Sequence, residues 1–312
     1  MILSNHKKIA AIDVGTNTVL LLVAEISDAT IHPLYQQEQI VRLGEGVDKT
    51  QRIKPEAMQR TLHALKEYVK ITRDFHVESI LIAGTSALRD ARNRQEFLQL
   101  VHQELGISIR VLSGKEEAEL TYWGALSNKQ HLQGKIMLID IGGGSTEFVS
   151  GNINQIDHFL SLDIGSVRLT ERFIHHDPAA EEEIKSISNI ITTQLKQLKY
   201  FNQKHDYLVG VAGTVTTLAA IQQKLEPYLP EKVDGSRLKL DDVKQLVDLL
   251  KGKTLEERKL LPGLNPNRAD VILAGALILL ESMKYFELDE ILVSDRGLRF
   301  GLIWEYLKTL YS

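Results

Sequence analysis

One short pattern occurs twice in this chain, and it limits the folds the chain can adopt. Residues 11–18 read Ala-Ile-Asp-Val-Gly-Thr-Asn-Thr, and residues 138–146 read Leu-Ile-Asp-Ile-Gly-Gly-Gly-Ser-Thr. Each copy is an apolar segment, an aspartate, one further apolar residue and then a turn of small residues. A second strand-like run follows each turn, at Val19–Ile26 and at Glu147–Ser150, so each copy reads as a β-hairpin. Ordinary turn chemistry accounts for one such copy, because Gly, Asn and Asp are turn formers. Two copies, each opening three strands and then helix-linked strands, make an internal duplication the better reading.

The rest of the chain fits that frame. In the first half, a third strand is expected over Ile31–Leu43 and a helix over Pro55–Phe75. A strand over Val77–Ala83 follows, then a helix over Asn93–Leu105, a strand over Ile107–Leu112 and a helix from Ser113 to Leu126. After the second hairpin come a strand at Ile153–Leu162 and helices at Ser166–Ile174 and Ala179–Lys204. A strand at Tyr207–Ala212 and helices at Asp241–Lys251 and Arg268–Phe286 come next. A strand at Ile291–Ser294 and a closing helix at Leu298–Tyr311 complete the pattern. A length of 312 residues suits two domains. They are expected at 1–122 and 123–298, with the closing helix (299–312) rejoining the first.

Composition removes several function classes. Cysteine is absent, which excludes disulfides, thiolate zinc sites and cysteine nucleophiles. A bound metal would have oxygen or histidine ligands, and oxygen ligands favour magnesium, calcium or manganese. The histidines show neither His-x-x-x-His nor His-Glu-x-x-His spacing, and His175-His176 reads as a loop pair. Net charge is −4, which speaks against nucleic acid as a partner. The apolar run Val271–Leu280 is too short to span a bilayer and reads as a buried helix. The start, Met1 to Lys8, lacks an apolar secretory stretch. The expectation is a cytoplasmic protein that does not bind membranes.

The two turns suit an anion. Glycine lets successive backbone N–H groups converge into a nest, and hydroxyls add short donors. Candidate phosphate ligands are Gly15, Thr16, Asn17 and Thr18 in the first turn, and Gly143, Gly144, Ser145 and Thr146 in the second. Asp13 and Asp140, ending their strands, are candidate metal ligands; capping of the turn is the alternative use for each. Magnesium prefers one or two carboxylates with phosphate and water, which Asp140 and Glu147 would supply. No Walker loop or dinucleotide fingerprint is present.

These blocks carry a resemblance. The paired turns resemble those of the superfamily of actin, sugar kinases and chaperone ATPases. More narrowly, Asp140-Ile141-Gly142-Gly143-Gly144-Ser145-Thr146-Glu147 resembles the signature of the exopolyphosphatase/guanosine pentaphosphatase (Ppx/GppA) family. Further blocks follow in the family's order: Asp13–Thr18, Thr85–Arg89, Ser113–Ala118, Gly210–Thr214 and Ser294–Arg299. The resemblance implies an α/β protein of two actin-like (ribonuclease H-like) βββαβαβα domains with a cleft between them. It implies hydrolysis of the terminal phosphate of inorganic polyphosphate, or of guanosine pentaphosphate (pppGpp) to the tetraphosphate ppGpp. It also implies Mg2+, or Mn2+ in its place, and a homodimer. It puts Arg89, Gly213 and Thr214 on substrate phosphate.

Ser113-x-x-Glu116 is a capping box, which assigns Glu116 to the helix start. Glu117 has no such duty, and the resemblance makes it the catalytic residue that orients or deprotonates water. A helix N-terminus is expected to keep it ionised. Tyr122 and Trp123 are expected at the hinge between domains, while Arg42, Arg268 and Arg299 have no assigned role. The chain departs from the family in ending soon after residue 311, without the helical extension of many relatives, from which lower processivity is expected. It also has Phe300 where relatives often have an acidic residue. Two other readings are an ATP-dependent small-molecule kinase of the same fold and a non-catalytic sensor of ppGpp or polyphosphate.

Overall fold

The computed structural model describes residues 7–27, 30–201 and 204–311. The chain forms two compact units: residues up to Asn128 together with those from Arg296 onward, and Lys129–Asp295. In chain order the first unit contains β1 (Lys7–Val14), β2 (Thr18–Ser27), β3 (Thr30–Ile40), α1 (Val47–Thr50) and α2 (Pro55–Asp74). It continues with β4 (Ser79–Gly84), α3 (Ser86–Asp90), α4 (Arg94–Leu105), β5 (Arg110–Val111) and α5 (Gly114–Leu126). The second unit holds β6 (Ile136–Ile141), β7 (Thr146–Gly151), β8 (Ile156–Leu162), α6 (Ser166–Phe173), α7 (Glu181–Leu195), β9 (Tyr207–Val211) and α8 (Ala212–Gln222). It ends with α9 (Pro230–Val233), β10 (Arg237–Lys239), α10 (Leu240–Lys251), α11 (Leu255–Lys259), α12 (Ile272–Tyr285) and β11 (Glu290–Val293); α13 (Leu298–Tyr311) then rejoins the first unit.

The first sheet runs β3-β2-β1-β4-β5. β1 pairs antiparallel with β2 and parallel with β4, and its alternation shows why the strand is apolar throughout. Ala10, Ile12 and Val14 enter one core with α2 and α4 residues such as Leu62, Leu65 and Phe97. Ile9 and Ala11 enter another with Leu120 of α5 and Ile303 of α13. A strand with helices on both faces has no solvent side to mark with polar residues.

The second sheet repeats the first. Its order is β8-β7-β6-β9-β11, with β10 added beside β11. The duplication read from the two hairpins is therefore a duplication of sheet topology, a 3-2-1-4-5 strand order in each unit. The apolar run at 271–280 is a buried helix as expected: α12 buries Leu273, Leu277 and Met283 in a core shared with α7, α8 and α10.

Several expectations shift in detail. The helix expected over 179–204 ends at Leu195 and continues as a 3-10 turn, Lys196–Phe201; residues 202 and 203 lie outside the described residues. The helix expected from Arg268 starts at Ile272, after a 3-10 turn at Pro266–Arg268. Gly213 and Thr214 belong to the first turn of α8. Ala212, at φ 67°, makes the sharp strand-to-helix elbow there. β10 was missed, because three residues carry too little alternation to mark a strand. Tyr122 is buried, and Trp123 stacks on Trp304 of the same unit at 5.1 Å.

Glycine brings α5 and α13 into close contact. A Cβ on Gly301 would fall 1.9 Å from the Leu120 carbonyl oxygen, and one on Gly124 would fall 2.2 Å from that of Gly297. Phe300, beside this contact, is a core residue with the Arg296 guanidinium 4.7 Å from its ring centroid. An apolar side chain there thus has a packing explanation. Arg299 does not face solvent: it is buried and donates to the Leu21 carbonyl at 3.0 Å. Gly301→Ala is expected to cost about 1–3 kcal/mol of stability, the usual range for forcing atoms into a packed contact. Chemical denaturation of wild type and variant checks this.

Candidate active site

The first turn is held by its carbonyls. Gly15 N–H donates to Thr18 O at 3.0 Å and closes the hairpin. The segment after β3 then returns: Gly44 N–H donates to Thr16 O at 2.8 Å, and the amides of Val41 and Arg42 both donate to Asn17 O. In a trans peptide the C=O and the following N–H point in opposite directions. Fixing the Thr16 and Asn17 carbonyls on one side therefore turns the Asn17 and Thr18 amides toward the other. Gly44 permits the approach, since a Cβ there would meet Thr16 Cγ2 at 2.3 Å. Asn17 is buried, and its Nδ2 has no hydrogen-bond partner. Such a buried donor costs about 1–3 kcal/mol until an acceptor arrives.

The second turn follows the same design. Gly142 N–H donates to Ser145 O at 3.0 Å. The segment after β8 returns as the start of α6, where Ser166 N–H donates to Gly142 O at 2.9 Å and the amides of Val167 and Arg168 donate to Gly143 O. The Arg168 side chain completes the set, with Nε donating to Gly144 O at 2.6 Å. All four carbonyls are engaged, and the Gly143, Gly144 and Ser145 amides face the opposite side as an anion nest. Thr146 differs from expectation: it is fully buried and its hydroxyl donates to Ile164 O at 2.5 Å, so it braces the turn. Gly213 lies directly under Arg268, whose Nη1 would be 2.0 Å from an added Cβ. This buried arginine, unassigned from sequence, therefore lies at the α8 start, just beyond the end of β9, the strand beside β6.

The carboxylates are not equivalent. Asp140 faces Glu147 across the β6–β7 ladder, so both side chains share one face of the sheet. Asp13 occupies the matching place in β1, but its partner on β2 is Leu20. The carboxylate pair thus belongs to the second unit, and Asp13 has no paired carboxylate opposite it. Glu147 Oε1 accepts a hydrogen bond from Ser161 at 2.6 Å, which fixes its direction. No cluster of three His, Asp or Glu occurs among the described residues. Two carboxylates with phosphate and water nevertheless fit magnesium's ordinary coordination.

Glu117 sits in the first unit. The capping box forms as read: Ser113 Oγ accepts from Glu116 N–H, and the Glu116 carboxylate accepts from Ser113 N–H. Arg110 also holds Glu116, and these bonds draw its pKa down to about 2. Glu117, one residue on, is buried, and its Oε2 accepts from Arg89 Nη1 at 2.8 Å. Arg89 also donates to Leu112 O, so the guanidinium expected on substrate phosphate is seated against the candidate base. α3, which carries Arg89, adjoins the first turn: Thr85 N–H donates to Val14 O, and the Ala87 Cβ lies 3.3 Å from where a Cβ on Gly44 would sit. Burial raises the Glu117 pKa, Arg89 opposes that rise and Asp90 adds to it. Burial thus works against the helix end that was expected to keep Glu117 ionised.

A family model described as the Ppx/GppA phosphatase family matches residues 22–310. Fold and turns define a duplicated α/β protein, and the chain belongs to the Ppx/GppA phosphatase family. It is 38% identical over 308 residues to a bifunctional 3-dehydroquinate synthase/phosphatase of Fusobacterium nucleatum, covering 95% of this chain but only 46% of that protein. The chain thus spans about half the length of that relative. It is 34% identical to exopolyphosphatase 2 of Mycobacterium tuberculosis, covering 95% of this chain and 97% of that one. It is 32% identical to a guanosine-5'-triphosphate,3'-diphosphate pyrophosphatase of Vibrio vulnificus, covering 98% and 60%. The crystal structure of an exopolyphosphatase from Cytophaga hutchinsonii matches with a TM-score of 0.90 and 32% identity, covering 97% and 98%.

Removing the Arg89 cation is expected to raise the Glu117 pKa further. A carbon-13 NMR titration of labelled glutamate carboxyls in Arg89→Met should show one carboxyl titrating at higher pH than in wild type. An unmoved curve contradicts the pairing.

Proposed function

We propose that this chain is a phosphoanhydride hydrolase that releases the terminal phosphate of inorganic polyphosphate, of pppGpp to leave ppGpp, or of both. Family membership and the names of the relatives support it. The observation that carries it is a buried carboxylate, Glu117, held by Arg89 in the same unit as a turn whose Thr16 and Asn17 carbonyls are fixed away from the anion side.

In this reading the turn amides and Asn17 Nδ2 bind phosphate oxygens. Glu117 takes a proton from water, the water oxygen bonds to the terminal phosphorus, and the bridging P–O bond breaks with its electron pair on the departing chain. The products are orthophosphate and a chain shorter by one unit. Asp140 and Glu147 would hold magnesium or manganese, which when bound neutralises charge on the phosphate oxygens. Positioning and charge neutralisation supply most of the rate in such transfers. A homodimer in the cytoplasm, acting on these anions and not on nucleic acid or membranes, completes the proposal. No helix among the described residues is long and apolar enough to cross a membrane.

Glu117→Gln is expected to lower kcat by ~100- to 10,000-fold, the usual worth of general-base help, with an unchanged melting temperature. Orthophosphate release from long-chain polyphosphate and from pppGpp measures it; turnover near wild type removes Glu117 from the mechanism. Transfer of phosphate from ATP to an added sugar would instead mark a kinase, and tight binding without turnover a sensor. Glu147→Gln is expected to weaken Mn2+ binding, read by electron paramagnetic resonance. Undiminished Mn2+ binding assigns the metal elsewhere.

A further inference from the structure

The two turns are braced by different kinds of donor. In the first unit the backbone amides of Val41, Arg42 and Gly44 hold the Asn17 and Thr16 carbonyls. In the second unit backbone amides hold Gly142 O and Gly143 O, but Gly144 O is held by the Arg168 side chain. We infer that Arg168 is a positioning residue for the phosphate seat of the second unit, an inference that rests on the phosphate reading above.

The argument follows from peptide geometry. The Gly144 carbonyl and the Ser145 N–H belong to one planar trans peptide and point in opposite directions. Whatever fixes one fixes the other. Between Gly143 and Ser145 no large side chain restrains the backbone, so this peptide rotates readily unless an external donor holds it. Arg168 Nε is that donor, at 2.6 Å. Its placement is itself constrained, since a Cβ on Gly165 would fall 2.3 Å from Gly143 O. Only a glycine lets the start of α6 come this close to the turn. The α6 amides are then spent on the turn's carbonyls, so the helix end acts as a brace and does not itself receive the anion.

Arg168 also brings charge. Its side chain is nearly buried, and its Nη2 lies 4.0 Å from the exposed Asp163 carboxylate. In this reading the guanidinium touches none of the phosphate oxygens.

The test is calorimetric binding of inorganic tripolyphosphate to Glu117→Gln protein, in which turnover is suppressed. Adding Arg168→Met is expected to weaken binding by ~10- to 100-fold, the equivalent of losing one charge-assisted, well-aimed donor. Adding Arg168→Lys, which keeps a cation and a donor, is expected to give an intermediate affinity. Unchanged affinity in the methionine variant overturns the inference, as does a lower melting temperature with no loss of affinity. A lysine variant as weak as the methionine variant overturns it too. If the methionine variant does not fold, the lysine variant decides alone: affinity below that of the parent supports the inference, and equal affinity overturns it. Failure of the parent Glu117→Gln protein to bind tripolyphosphate sinks the phosphate reading itself, and so is told apart from failure of this inference.

Discussion

The planarity of the peptide bond is the constraint on which this structure turns. A short turn has as many carbonyls as amides, and an anion wants only the amides. Each unit meets this by bringing back the chain that follows its third strand and setting donors against the turn's carbonyls. In the first unit the donors are the amides of Val41, Arg42 and Gly44, and in the second the start of α6 with Arg168. The amides are then presented together without any ligand to organise them. The Thr146 hydroxyl, tied to Ile164 O, belongs to the same brace.

A second balance governs Glu117. Its neighbour Glu116 is exposed to partners and water, and its hydrogen bonds to Arg110 and Ser113 hold its pKa low. Glu117 is buried, and burial raises its pKa although a guanidinium lies 2.8 Å away. Two adjacent carboxylates on one helix therefore have opposite tendencies, one held low as a cap and one pushed up by burial. The helix end acts on both; the difference comes from desolvation.

Much of this was legible in the residues. The hairpins, the order of helices and strands, the capping box and the buried helix around 271–280 all rest on local patterning that short-range sterics and apolar periodicity enforce. The family blocks placed Asp140, Glu147 and Glu117 within the right elements. What was not legible depends on partners distant in sequence. Nothing local says that Arg168 reaches Gly144, that Arg268 covers Gly213 or that Arg299 is buried against Leu21. The signal available for Arg168 was a Gly-Ser start to the helix after the third strand, which is too common to assign a role.

From its residues alone the chain determined a duplicated α/β topology, because a repeated pattern of apolar strands and small-residue turns has few ways to bury itself. The tertiary structure decided which carboxylates are paired and which arginine meets which group. Register places Glu147 opposite Asp140 but Leu20 opposite Asp13, and packing sets the burial that raises Glu117. Those are properties of neighbours across the fold, and a linear sequence does not state who its neighbours are.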